Sequence, residues 1–306
     1  MTKKLDNFVQ FLNIKLASVE SLLQASDFKQ ALAEIRELEN QKVMDDFSME
    51  AGELSYFGAL ALDKLGRLNE AMSQAQKAFE ILRNTGENKR VAQVQHIMGI
   101  IYAHMGDLKN AELQFTDTAS TYRRIDDQRG IIDIYNELAR LCFIRADFNR
   151  AIEYLNDALN YREKTKSERV KAQLMGNLGT IYMIKDEWQQ AKENLLVSLE
   201  LNIKHKDEIN MCRCLLSLGY VSVLLREFSK AEEYLKKAYS IIYENSFVRE
   251  LAIYHEYSGE LAFVQGDFGE AENHYLEAIQ IGEKIAPQSA IISQAYRLLA
   301  EFYADK

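Results

Sequence analysis

The chain has 306 residues, 47% hydrophobic and 27% charged, which is the make-up of a folded core and not of a disordered segment. One proline and 14 glycines in that length favour helices joined by short turns over sheets. A net charge of −9 argues against a surface built to neutralise phosphates, so neither nucleic acid nor an anionic membrane is an expected partner.

Taken in chain order, the opening "MTKKLDNFVQFLNIKLASVESLL" has two lysines ahead of apolar residues. Asp6, Asn7, Gln10, Asn13 and Lys15 interrupt it, so no continuous apolar leader forms and the segment predicts a helix near 5–25. Further helices are expected near 27–41, 47–65, 67–84, 88–105, 107–124, 129–145 and 147–164. The second half continues with 168–185, 187–204, 208–225, 227–243, 248–265, 267–285 and 289–305. No stretch has the roughly 18 apolar residues of a membrane span. The cysteines, Cys142, Cys212 and Cys214, are odd in number and sparse, which suits a reducing, cytoplasmic compartment.

These elements recur with a period of 40. Asp27-Phe28 precedes Ala31, Arg67-Leu68 precedes Ala71, Asp107-Leu108 precedes Ala111, and Asp147-Phe148 precedes Ala151. Glu187-Trp188, Glu227-Phe228 and Asp267-Phe268 then precede Ala191, Ala231 and Ala271 in the same register. A second motif lies upstream, as "MGIIY" at 98–102, "LGTIY" at 178–182 and "LGYVS" at 218–222. Each repeat therefore reads as a helical hairpin. Gly66, Gly106 and Gly266 stand where the first helix ends and a left-handed backbone is needed. The residue that follows, acidic in every repeat but that of Arg67, opens the second helix, and the alanine one turn later allows a close helix crossing. Gly99, Gly179, Gly219 and Gly259 serve that crossing from the first helix, with Ala59 and Ala139 in their place elsewhere.

At these residues the chain resembles the tetratricopeptide repeat, whose pattern runs Leu-Gly, Tyr, Gly-Asp-Tyr/Phe, Ala, an aromatic or Leu, and Ala. Ala151, Leu155 and Ala158 match its second half, as do Ala231, Leu235 and Ala238. The usual repeat is about 34 residues; the longer one here is similar to those of kinesin light chains, Leu-Gly-Asn-repeat adaptors and bacterial peptide-sensing regulators. The resemblance implies an all-α solenoid coiled into a right-handed superhelix, with first helices lining a concave groove. It divides the chain, as a single array, near 5–44, 45–86, 87–126, 127–166, 167–206, 207–246 and 247–286, plus a last first helix at 289–305. "LLAEFYADK" fits the register if one residue is added near Pro287, and this helix then ends where a further hairpin partner is due. Its apolar Ile291, Ile292, Ala295, Leu298, Leu299 and Phe302 suggest a chain cut from a longer protein. Leu299, Phe302 and Tyr303 are expected to lack packing, so the helix frays or is buried in a homodimer.

No catalytic or metal constellation is evident, and a non-enzyme without cofactors is expected. Cys212 and Cys214 fall on different helix faces, His96 and His104 are two turns apart, and Gly-Asp-Phe lacks the strand and lysine of a phosphate loop. The family geometry implies a groove bearing Tyr56, His96, Ile100, Asn136, Arg140, Phe143, Thr180 and Met183. It continues with Leu216, Tyr220, Val223, Glu256, Glu260 and Phe263. Lys89, Arg129, Arg169 and Arg249 recur at the start of first helices as a basic lip. They serve either as salt-bridge partners of Asp126, Asp127 or Glu168, or as a dock for acidic ligand groups. The reading is a protein-interaction scaffold whose groove takes an amphipathic helix or an apolar peptide with acidic flanks. The alternative is a ligand-sensing domain of a larger bacterial signalling or transcription regulator.

Overall fold

The computed structural model describes residues 2–39, 48–285 and 290–305. The boundary expected at 44/45 and the register shift at Pro287 lie outside them. The described residues form α1 (Thr2–Gln24), α2 (Phe28–Glu39), α3 (Ser48–Lys64), α4 (Leu68–Leu82), α5 (Asn88–His104), α6 (Leu108–Arg124), α7 (Gln128–Ile144) and α8 (Phe148–Thr165). They continue with α9 (Glu168–Ile184), α10 (Trp188–His205), α11 (Glu208–Leu224), α12 (Phe228–Asn245), α13 (Val248–Gln265), α14 (Phe268–Ile285) and α15 (Ala290–Asp305). Every helix expected from the repeat is present, and no strand interrupts them among the described residues.

One turn, repeated, separates the helices of each hairpin. Gly106 has φ 81°, and the Asp107 N–H donates to the Tyr102 carbonyl at 2.9 Å, closing the end of α5. The Asp107 carbonyl then accepts from the Ala111 N–H at 3.0 Å, and its carboxylate from the Asn110 N–H at 3.1 Å. Asp27, Asp147 and Asp267 cap in the same way. Glu187 and Glu227, one methylene longer, make no cap; the Glu227 carboxylate instead holds Lys192 and Lys230. The left-handed position recurs every 20 residues, at both kinds of interhelix turn. Glycine fills it at 66, 86, 106 and 266, whereas Ser26, Asp126, Ala146, Lys166, Asp186, Lys206, Arg226 and Ser246 adopt it without that freedom.

Close packing accounts for the small residues. The seven motif alanines from Ala31 to Ala271 are fully buried. Opposite them, a Cβ on Gly99 would lie 2.5 Å from the Phe115 ring, and one on Gly259 would lie 2.6 Å from the Tyr275 ring. Ala59 is tolerated because the residue in the Phe115 position is there Ala75, and both belong to one buried cluster.

The helices gather into two compact units, Met1–Thr165 with α1–α8 and Lys166–Lys306 with α9–α15. The 40-residue period runs through the junction without a slip, which is the ground for expecting one array. Within the first unit, α3–α4, α5–α6 and α7–α8 pair as hairpins, and each second helix also packs on the next first helix. The second unit repeats this with α9–α10, α11–α12 and α13–α14, and α15 packs on both α13 and α14. Phe302, expected to lack packing, is instead buried against Phe263, Phe268 and Tyr275. Leu299 packs against the same cluster, and Tyr303 stays exposed with its hydroxyl bonded to Glu272.

Candidate peptide-binding surface

The expected groove residues all lie on first helices. In the first unit Tyr56 (α3), His96 and Ile100 (α5), and Asn136, Arg140 and Phe143 (α7) are each half-buried. Arg90 sits 5.5 Å over the Tyr56 ring. His96 meets Phe115 edge-on at 5.8 Å, and burial pushes its imidazole down, which keeps it neutral. Arg140 is held by Glu137 one turn back, with its Nε 2.8 Å from the carboxylate.

Two cations of the basic lip are engaged within the protein. Lys89 pairs with Asp127 across the repeat at 2.8 Å, and Arg129 with Asp133 on its own helix at 3.0 Å. Burial acts to lift Asp127, but hydrogen bonds from Lys89 and the Gly130 N–H hold it below its ordinary value. Arg169 and Arg249 are exposed in the first turns of α9 and α13. Glu168, the acid expected near Arg169, instead bonds Lys204 at 2.8 Å, with the His205 ring 3.2 Å away.

In the second unit Thr180, Met183, Tyr220, Glu260 and Phe263 are half-buried. Leu216 and Val223 do not belong to the surface. Both are about as buried as any core residue and lie in the cluster formed by α9–α13. The period assigns a face to a position but not the depth at which neighbouring side chains leave it. Glu256 is also buried, at 4% exposure. Phe263 is drawn towards Phe268 and Phe302, with ring centroids 5.8 and 6.1 Å away.

Between α9, α10 and α11 a cavity of about 170 Å³ opens. Gln173, Asn177 and Thr180 line it from α9, and Asn210, Arg213 and Ser217 from α11. Its floor is polar. The Ser198 hydroxyl donates to the Ala172 carbonyl at 2.8 Å and accepts from the Cys214 thiol at 3.2 Å and the Asn202 amide at 3.3 Å. Gly176 keeps the cavity open, since a Cβ there would lie 3.2 Å from the Ser198 hydroxyl. Arg213 bonds the buried Glu250 through Nε at 3.0 Å, and its terminal nitrogens bring further donors to the rim. The sequence carried a signal for this floor. From the second repeat on, Ser198 falls in a column that otherwise reads Ala78, Thr118, Ala158, Ala238 and Ala278, and Asn202 in one that reads Leu82, Tyr122, Arg162, Ile242 and Gly282.

The lining offers amide and hydroxyl groups for hydrogen bonding. Ligand pockets for drug-sized molecules run about 300–1,000 Å³, so this one suits a single side chain or peptide unit. Amides on facing walls offer both donors and acceptors, as a peptide group requires. Burial raises the thiols of Cys142, Cys212 and Cys214, that of Cys212 to about 12, so none is a ready nucleophile. Among the described residues no three metal-ligating side chains cluster, and no helix is long and apolar enough to cross a membrane.

Comparison with known proteins supports the same fold. Residues 90–164 match the family model described as tetratricopeptide repeat. No curated protein sequence gives a significant match. Among solved structures, the apo form of the quorum sensor NprR from B. thuringiensis is similar, with TM-score 0.67, 17% identity, and coverage of 99% of this chain and 92% of that one. NprR in complex with its cognate peptide NprX is similar with TM-score 0.58, 17% identity and the same coverage. So is the STAND protein PH0952 from Pyrococcus horikoshii, which has a tetratricopeptide repeat sensor, with TM-score 0.68 and 16% identity. That match covers 95% of this chain and 49% of the other. Residues 90–164 are thus tetratricopeptide repeats, and the helical hairpins of the chain as a whole have the tetratricopeptide-repeat fold.

Proposed function

We propose that the chain is a cytoplasmic, non-enzymatic peptide-binding module that holds a segment of a partner on the inner faces of its first helices. The observation that carries this reading is the amide-lined cavity between α9, α10 and α11, open on the side of Gln173 and Asn177 and floored by a self-satisfied polar network. NprR, which shares the fold, has been solved with a peptide, and that adds support. Half-buried Phe143 and Tyr220 supply apolar area beside the polar groups in their respective units. Acidic flanks on the ligand have less support than a peptide as such, because Lys89 and Arg129 already hold carboxylates.

A random heptapeptide library panned against the full chain tests the reading. Enriched peptides should bind Asn177→Ala and Gln173→Ala variants about tenfold more weakly, the scale of one or two lost hydrogen bonds. Peptides that bind both variants unchanged would move the site elsewhere. The sensor in PH0952 favours a second reading, in which the same module reports peptide occupancy to an effector of a larger signalling protein.

A further inference from the structure

The second unit holds a carboxylate that its own packing does not satisfy. Glu256 on α13 is 4% exposed, and its Oε1 has no hydrogen-bond partner among the described residues. A buried charged oxygen without a partner is strongly disfavoured unless a proton or a cation reaches it. One turn further along α13, Glu260 is half-buried, and one of its oxygens accepts the Tyr275 hydroxyl at 2.9 Å. Glu301 on α15 stands close enough to add to the field at Glu260, and Arg297, 2.6 Å from Glu301, is the cation whose charge acts on both Glu256 and Glu260. Carboxylates therefore outnumber cations here. Two carboxylates one turn apart in these columns are particular to this repeat: the column of Glu256 reads Leu16, Tyr56, His96, Asn136, Gly176 and Leu216 elsewhere, and that of Glu260 reads Glu20, Leu60, Ile100, Arg140, Thr180 and Tyr220.

An aromatic wall adjoins the acids. The Tyr220 ring stacks on Tyr257 with centroids 4.6 Å apart and an interplanar angle of 15°. Tyr220 is half-buried and feels the charge of Glu260. A flat aromatic face beside carboxylates is the environment that attracts guanidinium and ammonium groups.

We propose that Glu256 and Glu260, with the Tyr220–Tyr257 stack as a wall, form a subsite for a cationic side chain of the bound peptide. This rests on the peptide-binding reading and adds the chemistry of one ligand residue to it. The cation brings Glu256 the partner its Oε1 lacks. Burial and Glu260, opposed by Arg297, push the free Glu256 carboxyl up to about 7, so a cation that fixes it as carboxylate displaces a proton near neutral pH.

The test starts from the same heptapeptide panning and uses the full-length chain throughout. Enriched peptides should carry Arg or Lys. Replacing that Arg with citrulline, or the Lys with norleucine, should weaken binding about tenfold or more. Glu256→Gln and Glu260→Gln should weaken the parent peptide by a similar factor while leaving the citrulline peptide unaffected. Calorimetry in buffers of different ionisation enthalpy should show proton release on binding to the wild type and none with Glu256→Gln. Enriched peptides without a basic residue, or with equal affinity for wild type and both Gln variants, would overturn the cationic subsite and leave peptide binding standing. A library that enriches nothing would overturn the peptide reading, and the subsite with it.

Discussion

Gly99 on α5 and Phe115 on α6 share one space: a Cβ built on the glycine would lie 2.5 Å from Cε1 of the ring. Phe115 is fully buried and cannot swing aside. Helix propensity alone favours alanine over glycine by about 1 kcal/mol, yet overpacking of this kind costs about 1–3 kcal/mol. Gly99→Ala is therefore expected to destabilise the protein, read as a lower denaturation midpoint. The penalty should shrink in a Phe115→Leu background, where the two changes will not be additive. A stabilised Gly99→Ala protein would show that Phe115 gives way at this crossing.

Ala146 has the opposite problem. It is exposed and holds φ 57° at the position where Gly66, Gly106 and Gly266 sit. A left-handed non-glycine residue costs roughly 1–2 kcal/mol, part of which is offset by the larger chain entropy of glycine when unfolded. Ala146→Gly should thus raise stability by about 0.5–1 kcal/mol, and Gly106→Ala, at φ 81°, should lower it by a similar amount. Thermal melts of the two variants, side by side, check the sign.

Glu256 gives a pH dependence of known sign. Its carboxyl is raised by burial from 4.5 to about 7, so between these values the folded state binds more protons than the unfolded one. The contribution is fully present below about pH 4.5 and is lost as pH rises through about 7. Glu256→Gln should remove this loss, making the variant more stable relative to wild type at pH 8 than at pH 5. Urea titrations at the two pH values provide the comparison.

His255 and His274 act in the reverse direction. Their Nδ1 atoms are 2.9 Å apart, so one ring donates an N–H to the other, and protonating both would set two donors against each other. Burial and His274 bring His255 down from 6.5 to about 4, and burial lowers His274 against the pull of Glu270 and Glu277. The stability this pair contributes is present above about pH 6.5 and lost as pH falls through about 4. His274→Gln should flatten that acid limb of the stability profile. An acid limb unchanged by the variant would assign the loss to other groups.

The helices, their ends and their small residues were legible in the linear order, because each depends on neighbours a few residues away or on a column repeated every 40. Asp107 caps α6 from inside its own motif, and Gly99 meets Phe115 within one hairpin. The candidate site was legible only as a set of faces. Tertiary packing decided that Leu216 and Val223 sink into the core, that Lys89 is held by Asp127, and that Ser198 and Asn202 floor a cavity beneath Asn177. It also decided that Glu256 is buried with an oxygen left over. Those outcomes turn on which side chains from different helices compete for the same volume and the same hydrogen bonds. A periodic sequence repeats the backbone that poses this competition, but only the packed structure resolves it.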